Sequence, residues 1–249
     1  YDIHRQTTDI LLIADFKEYL LKRYFDLNLE DDEIDAIVHN LLYARGHTLY
    51  ATMKATLAEL RNGYTLDRSK YGKKTEFIEY IDFSNPENNF FKVVNQYEVK
   101  DEQLRRPDII VFINGIPVSV IELKNISEAD VKLHDAYEQL HVRYARDIPS
   151  LMRFSFVSVI SDGVTTKAGS LFAGYKHFFP WKSTDGKTYS NDGIDSLISL
   201  VNGLFSKETI VRIIQHYVYF PDVSNKDVMI LPKYSQYYGA ELLYKNIKK

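Results

Sequence analysis

Two apolar runs on either side of Asn114-Gly115 constrain the fold of this chain more than any other stretch. Both runs are rich in β-branched and aromatic residues. Asn-Gly between such runs is the strongest short-range signal for a β-hairpin, because both turn residues tolerate a left-handed backbone. We therefore predict two antiparallel strands, Arg106–Ile113 and Ile116–Lys124, joined by a tight turn.

Ionisable side chains interrupt these runs at the open end of the hairpin. Asp108 lies near the start of the first strand, while Glu122 and Lys124 close the second strand, two positions apart and therefore on one face. Ionisable groups at the ends of buried strands usually mark a site. The alternative is a solvated strand end with a Glu-Lys pair, because an Asp followed some dozen residues later by Glu-x-Lys arises by chance in many proteins.

The register of the hairpin decides whether the two carboxylates can meet. A two-residue loop would place Asp108 and Glu122 on opposite faces, since a slip of one residue turns every side chain over. A three-residue loop with Gly115 as a left-handed bulge would pair Asp108 with Val120 and leave Glu122 diagonal to Asp108, roughly 7–8 Å away at the backbone. We predict the bulged loop, because it lets two carboxylates converge on one cation.

Pro107-Asp108, a spacer and then Glu122-Leu123-Lys124 resemble the motif of the PD-(D/E)XK nucleases. The resemblance implies an α/β, restriction-endonuclease-like core with a mixed central sheet flanked by helices, and helical additions at both ends. It implies that Asp108, Glu122 and the backbone carbonyl of Leu123 hold one or two Mg²⁺ ions, while Lys124 positions or activates the attacking water. Hard cations prefer such oxygen ligands.

A helix is expected after the second strand, from about Ser127 to Arg146. Nuclease domains that resemble those of RecB and restriction motors carry Gln-x-x-x-Tyr on this helix, beside the catalytic face. Here Gln139 and Tyr144 are separated by four residues, so they share a helical face only if the helix end unwinds or bulges. Both are retained as supporting residues by resemblance. Arg143 shares a helical face with Gln139 and is a candidate contact to phosphate.

Six longer segments carry a second resemblance: Asn85–Phe90, Asn95–Tyr97, Ile148–Leu151, Val159–Gly163, Phe179–Lys182 and Leu231–Tyr238. They are similar to the R, or motor, subunit of type I restriction endonucleases. The resemblance implies double-stranded DNA as substrate, methyltransferase and specificity subunits as partners, and cleavage away from the recognition site after ATP-driven translocation. The chain contains no Gly-x-x-x-x-Gly-Lys-Ser/Thr phosphate loop, so ATP is expected only in a motor domain that this fragment lacks.

We expect a nuclease domain over residues 1–220 and a linker into the motor over 221–249. Within the domain we expect a helical part over about 1–75, an αβββαβ core over about 76–175 and packing helices over about 193–218. In the helical part, Asp31-Asp32 is the expected cap of one helix, and another helix is expected to start at Thr48 and stop at Gly63. Hydrophobic content of 45% and charged content of 26% are ordinary for a globular protein. Thiolate metal sites are excluded because there is no cysteine. No apolar run reaches the roughly 18 residues of a membrane span, and we expect a cytoplasmic protein.

Several alternatives remain open at the level of sequence. A net charge of −3 means that any DNA contact comes from local patches, and the basic and aromatic run Arg68–Lys74 is either one such patch or a solvated loop. A further metal-site acid is either Glu59 or a residue upstream of Tyr1, and Glu98 is a weaker candidate. The chain is alternatively a type III or repair nuclease, or a catalytically dead PD-(D/E)XK scaffold that binds DNA or partner subunits.

Overall fold

The computed structural model describes residues 5–125, 129–222 and 226–248. Within these residues, nine strands form three sheets. In chain order the strands are β1 (Tyr64–Leu66), β2 (Glu76–Ile78), β3 (Phe91–Asn95), β4 (Val99–Lys100), β5 (Leu104–Arg105), β6 (Ile109–Ile113), β7 (Ile116–Leu123), β8 (Val157–Ser161) and β9 (Thr166–Gly169).

The central sheet is mixed, as predicted, and has five strands in the order β3-β6-β7-β8-β9. β7 and β8 are parallel, and the other neighbouring strands are antiparallel. All five residues of β8 are buried, as are all residues of β7 except Leu123. Near-continuous apolar runs are typical of strands covered on both faces. The other two sheets are small antiparallel pairs, β1 with β2 and β4 with β5.

Helices flank the central sheet. Most of them lie in the parts predicted to be helical, about 1–75, 127–146 and 193–218, but the helix Tyr234–Ile247 lies in the segment predicted as a linker. Within the part of the chain that the structure describes, the helices are too short or too polar to cross a membrane. Two further segments, Gln139–Tyr144 and Ile213–Tyr217, have π-helical hydrogen bonding. The α-helices are α1 (Ile13–Arg23), α2 (Asp31–Leu42), α3 (Leu49–Asn62), α4 (Ala129–Glu138), α5 (Ala145–Asp147), α6 (Pro149–Met152), α7 (Ile194–Gly203), α8 (Lys207–Arg212) and α9 (Tyr234–Ile247).

The ends of the N-terminal helices follow their capping residues. Thr48 caps α3 by accepting a hydrogen bond from a backbone N–H, and Gly63 ends that helix with φ of 68°, as the sequence predicts. The cap of α2 is Glu30, one residue before the expected Asp31-Asp32, because Glu30 and Glu33 form a reciprocal capping box. Asp31 and Asp32 therefore lie in its first turn. The predicted start of the later helix at Ser127 lies outside the described residues.

The hairpin turn differs from the predicted one. Asn114 and Gly115 form a two-residue turn, both with left-handed φ (52° and 76°), and Ile113 pairs with Ile116 across it. The predicted three-residue loop with Gly115 as the bulge is therefore wrong. Asn-Gly satisfies the backbone of a two-residue turn without an extra residue.

The bulge lies further along β7. Phe112 pairs with Pro117, but Val111, the residue before Phe112 in β6, pairs with Ser119. Val118 is therefore the extra residue of β7. Proline has no N–H to donate to a sheet ladder and is confined in sheets largely to edges and bulges. The bulge therefore follows the one residue of β7 that cannot complete a regular ladder.

This bulge resets the register at the open end of the hairpin. Ile110, not Asp108, pairs with Val120, and Ile109 pairs with Ile121. The predicted pairing of Asp108 with Val120 is therefore wrong. Extending the observed register by one residue places Asp108 directly opposite Glu122, which is closer than the diagonal placement expected from the sequence.

The turn itself is part of the core. The buried side-chain amide of Asn114 donates to the carbonyl oxygen of Tyr80 (3.0 Å) and to Oδ1 of Asn89 (2.8 Å), and its oxygen accepts from the backbone N–H of Phe90 (2.7 Å). The Gly115 carbonyl accepts from the Leu12 N–H at 2.9 Å. A Cβ on Gly115 would lie 2.4 Å from the Leu12 carbonyl oxygen, so only glycine fits.

The basic run in the N-terminal part is largely neutralised by the first turn of α2 and the residue before it. Arg68 is buried and forms an ion pair of 2.7 Å with Glu33. Lys70 pairs with Asp32, and Lys73 lies 3.5 Å from Glu30. These pairs leave little net positive charge on this surface.

We predict that Asn114→Ala lowers the free energy of unfolding by about 2–4 kcal/mol, because it leaves buried hydrogen-bonding groups without partners. Urea denaturation of the purified chain measures this change. Asn202→Ala, at an exposed position of α7, is the control and should change stability by less than about 0.5 kcal/mol. Equal effects of the two substitutions would contradict the role assigned to the turn.

Candidate active site

Four polar side chains form a closed hydrogen-bonded ring at the end of β7. Lys124 Nζ donates to Glu122 Oε1 (3.0 Å) and to Gln139 Oε1 (2.7 Å). Gln139 Nε2 donates to the Tyr144 hydroxyl oxygen (2.7 Å), and that hydroxyl donates to Glu122 Oε2 (3.1 Å). We call these four residues the Glu122 ring. Each member holds two others, so a change at one position disturbs the whole ring.

Asp108 lies beside the ring and is fixed by neighbouring strands. Its Oδ2 accepts from the Leu123 N–H (2.8 Å), and its Oδ1 accepts from Gln96 Nε2 (2.9 Å). Gln96 has φ of 50°, a left-handed conformation that is uncommon outside glycine, and its N–H donates to the Asp108 carbonyl oxygen at 2.8 Å. The sequence indicates no such role for Gln96, since a strained backbone angle leaves no local signal in it.

A π-helical segment brings Gln139 and Tyr144 together. The spacing of i and i+5 does not share a face in an α-helix, but each backbone bond of a π-helix spans five residues. The segment Gln139–Tyr144 has this hydrogen bonding, and its two end residues contact through their side chains. The bulged helix considered from the sequence is therefore the one observed. π-Helical turns are frequently found at functional sites.

Burial changes the protonation of the site. Glu122 is only 2% exposed. Loss of hydration raises the pKa of Glu122 to about 7; the adjacent Lys124 ammonium opposes this rise, while the nearby Asp108 adds to it. Burial also raises the pKa of Tyr144, so this phenol stays protonated and donates to Glu122 at neutral pH.

Arg143 lies at the edge of the site and not in the ring. Its side chain is exposed and lines a hollow together with Lys124 and Gln139. Asp135 and Glu138 line the same hollow. A guanidinium in this position can reach a molecule bound beside the ring but contacts neither Glu122 nor Asp108.

Glu59, one of the two candidates for a further metal-site acid, does not contact this site. Glu59 accepts hydrogen bonds from Asn40 and from the Tyr80 hydroxyl, and it lies 3.4 Å from Arg45. These contacts assign Glu59 to packing among the N-terminal helices. Glu98 is exposed and its carbonyl, not its carboxylate, accepts a hydrogen bond from Arg5. Within the described ranges, no group of three or more acidic or histidine side chains is arranged to hold a metal.

The donor set of Asp108 and Glu122 fits a hard divalent cation. Both groups offer carboxylate oxygens, and each ionised carboxylate has about four lone-pair positions, of which the observed donors occupy two. Mg²⁺ is commonly bound through one or two carboxylates and keeps several waters. Two carboxylates and a backbone carbonyl can therefore supply the oxygen ligands that such an ion takes from a protein.

Comparison with known proteins identifies relatives that share the name of type I restriction enzyme endonuclease subunit. A family model described as the N terminus of type I restriction enzyme R protein matches residues 1–177. The chain is 33% identical over 233 residues to the HindI type I restriction enzyme endonuclease subunit of Haemophilus influenzae, covering 90% of this chain and 22% of that protein. It is 32% identical over 210 residues to the MjaIXP endonuclease subunit of Methanocaldococcus jannaschii, covering 76% and 20%. The chain thus spans about a fifth of the length of these curated relatives.

We predict that, without divalent cations, raising the pH from about 5 to about 8 destabilises the protein by about 2–3 kcal/mol through Glu122. The folded-state pKa of Glu122 lies above its unfolded value, so its stabilising contribution is present at low pH and is lost as the pH rises through about 7. Urea unfolding at both pH values measures the loss. Glu122→Gln, which stays neutral, should remove this part of the pH dependence, and identical pH dependence in both proteins would contradict the buried-carboxyl assignment.

Proposed function

Because this chain belongs to the family of type I restriction enzyme R protein N termini, we propose that it is the DNA-cleaving domain of such a subunit. The proposed activity is Mg²⁺-dependent hydrolysis of phosphodiester bonds in double-stranded DNA by a PD-(D/E)XK site. The observation that carries this proposal is the meeting of Asp108, Glu122 and Lys124 at the open end of one hairpin. The family match favours a type I system over the type III or repair alternatives.

Asp108 and Glu122, with the Leu123 carbonyl, would hold the metal ion. When bound, Mg²⁺ lowers the pKa of its water and neutralises charge that develops on the phosphate. Lys124 already places an ammonium 3.0 Å from Glu122 Oε1, where it stabilises negative charge at the reacting phosphate. Because Lys124 is also held by Gln139, little reorganisation is required when substrate arrives.

Tyr144 and Gln139 act as positioning residues in this proposal. Tyr144 fixes the Glu122 oxygen that faces away from Lys124, and Gln139 links the phenol to the ammonium. Both side chains come from the π-helical segment, so the helix sets the orientation of groups on the strand. Residues that hydrogen-bond to the ligands of a metal commonly orient them in this way.

The proposal implies further activities of a whole R subunit that the present chain would not carry by itself. ATP would be bound by a motor domain, and methyltransferase and specificity subunits would be the partners. Lys233 and Gln236, near the start of α9, are linker or adenine-site residues by resemblance. The groups proposed to break the phosphodiester bond lie at the hairpin and not in the motor, so mutating them should stop cleavage without stopping ATP hydrolysis.

Calorimetric titration of Mn²⁺ into the chain tests the metal site directly. We expect saturable binding that Glu122→Gln weakens at least about tenfold, because it replaces a charged ligand by a neutral amide. Glu241→Gln is the matched control, since Glu241 is also buried, accepts from the Tyr217 hydroxyl and pairs with Arg212. Equal weakening in the two variants, or no binding by the native chain with or without duplex DNA, would contradict the proposed site.

Cleavage by the full-length subunit in its complex tests the catalytic roles. We expect Asp108→Ala, Glu122→Gln and Lys124→Ala each to lower the rate of strand cleavage at least about 10²-fold, since each removes electrostatic stabilisation from the site. ATP hydrolysis by the same variants should remain largely intact. If native cleavage persisted in all three variants, the site would lie elsewhere; if the native complex bound DNA without cutting it, the domain would be a binding scaffold.

A further inference from the structure

Two arginines hold one buried carboxylate next to the candidate active site, and a third arginine lies nearby on the same helix. Asp147, at the end of α5, is only 1% exposed. Arg105 Nε donates to its Oδ2 at 2.7 Å, and Arg146 Nε donates to its Oδ1 at 2.6 Å. Arg143 lies one helical turn before Asp147. We call Arg105, Arg143 and Arg146 the arginine surface. The Arg105 and Arg146 guanidiniums against the one Asp147 carboxylate leave an excess of one positive charge on these three side chains, because Arg stays protonated.

The contacts of Asp147 fix two of these guanidiniums in place. Arg146 binds both carboxylate oxygens, and Arg105 reaches Oδ2 with two of its nitrogens. These ion pairs hold the pKa of Asp147 at about 2, so it is ionised at neutral pH. The side chains of Arg105 and Arg146 remain 37% and 68% exposed. Each therefore presents a preorganised guanidinium edge to solvent.

The β4–β5 hairpin is docked onto the same helix end. The Gln103 N–H donates to the Asp147 carbonyl oxygen (3.0 Å), and the Ser150 N–H donates to Asp101 Oδ2 (2.8 Å). Arg105, on β5, is consequently held against α5 by backbone as well as side-chain bonds. A surface built from two anchored elements keeps its shape when it meets a ligand, which lowers the entropic cost of binding.

Arg143 differs from the other two arginines because it has no hydrogen bond or ion pair within the described part of the chain. Its exposed guanidinium lines the hollow that Lys124 also lines. Asp135 and Glu138 line that hollow as well, on the part of the helix that precedes Arg143. Their charge repels an anion from that side and favours a path past Arg143 toward Arg146.

The chain places this surface within a few residues of the catalytic groups. Arg105 precedes Asp108 by three residues, and an extended stretch of that length spans at most about 10 Å. Arg146 follows Tyr144 by two residues, and the hydroxyl of Tyr144 contacts Glu122. Adjacent phosphates along one DNA strand lie several ångströms apart, so a backbone bound at the catalytic carboxylates would have further phosphates at this distance.

We propose that Arg105, Arg143 and Arg146 bind the phosphate backbone of duplex DNA next to the bond that is cut. This inference rests on the proposed function, because it takes DNA as the substrate. Planar guanidiniums match the paired oxygens of a phosphate, which a lysine binds only as a point charge. The basic run Arg68–Lys74 is a second cationic segment, but its ion pairs with α2 and Glu30 occupy Arg68, Lys70 and Lys73.

Salt-dependent DNA binding by the 249-residue chain tests this proposal. Fluorescence anisotropy with a labelled duplex is measured in EDTA between about 50 and 200 mM NaCl. The slope of log K against log[salt] decreases in magnitude by about 0.9 for each phosphate that the protein no longer neutralises. We expect Arg143→Gln to lower the slope by about one and Arg143→Gln combined with Arg146→Gln by about two. Arg143→Lys should keep the slope.

Lys70→Gln is the matched control. It also removes one exposed positive charge, but from the neutralised basic run, and it should leave the slope unchanged. Arg143→Gln breaks no intramolecular bond within the described residues, so its thermal unfolding should match that of the native chain; this separates binding from folding.

Each outcome decides between the two proposals. Unchanged slopes in the arginine variants, with normal binding by the native chain, would overturn the arginine surface and leave the proposed nuclease intact. An equal decrease in Lys70→Gln would also overturn it, because binding would then depend on total charge. Failure of the native chain to bind any duplex would remove the arginine surface and would count against DNA as the substrate.

Discussion

The register of one hairpin determines whether Asp108 and Glu122 can lie together at one candidate site. A regular two-residue turn at Asn114-Gly115 would direct Asp108 and Glu122 to opposite faces of the sheet. The bulge at Val118 adds one residue to β7 and brings both carboxylates to the same end and face. It follows Pro117, the one residue of the strand without an N–H. A local defect in the ladder thus creates the pair of acids on which the proposed chemistry depends.

The turn transmits this register to the rest of the domain. Asn114 bonds to three backbone or side-chain groups on the segment that precedes β3, and Gly115 packs against the residue before α1. Shifting the hairpin by one residue would therefore break buried polar contacts at its closed end as well as move the acids at its open end. The contacts that pack the turn against the N-terminal segment therefore also fix the position of the acids at the open end of the hairpin.

Local chemistry explains which features could be predicted from the sequence. Apolar alternation, Thr48 and Gly63 predict helices and strands well, because these signals act within a few residues. The sequence also predicts a bulge, but at Gly115, since glycine is the usual bulge residue and the missing N–H of Pro117 is a weaker signal. The left-handed Gln96 and the fit of Arg105 to Asp147 depend on contacts between distant segments, which one sequence does not reveal.

Negative and positive charge are separated around the site: two carboxylates lie at the hairpin, and the arginines lie beside Asp147. Glu122 pairs with one ammonium, Lys124, and Asp108 lies near Glu122, so a divalent cation would complete the neutralisation of the two carboxylates. Arginines directly beside these carboxylates would compete with such a cation by forming ion pairs of their own. Asp147 instead retains two guanidiniums at a separate position a few residues away. The carboxylates thus stay available to a metal, while positive charge for the phosphates lies along the adjacent surface.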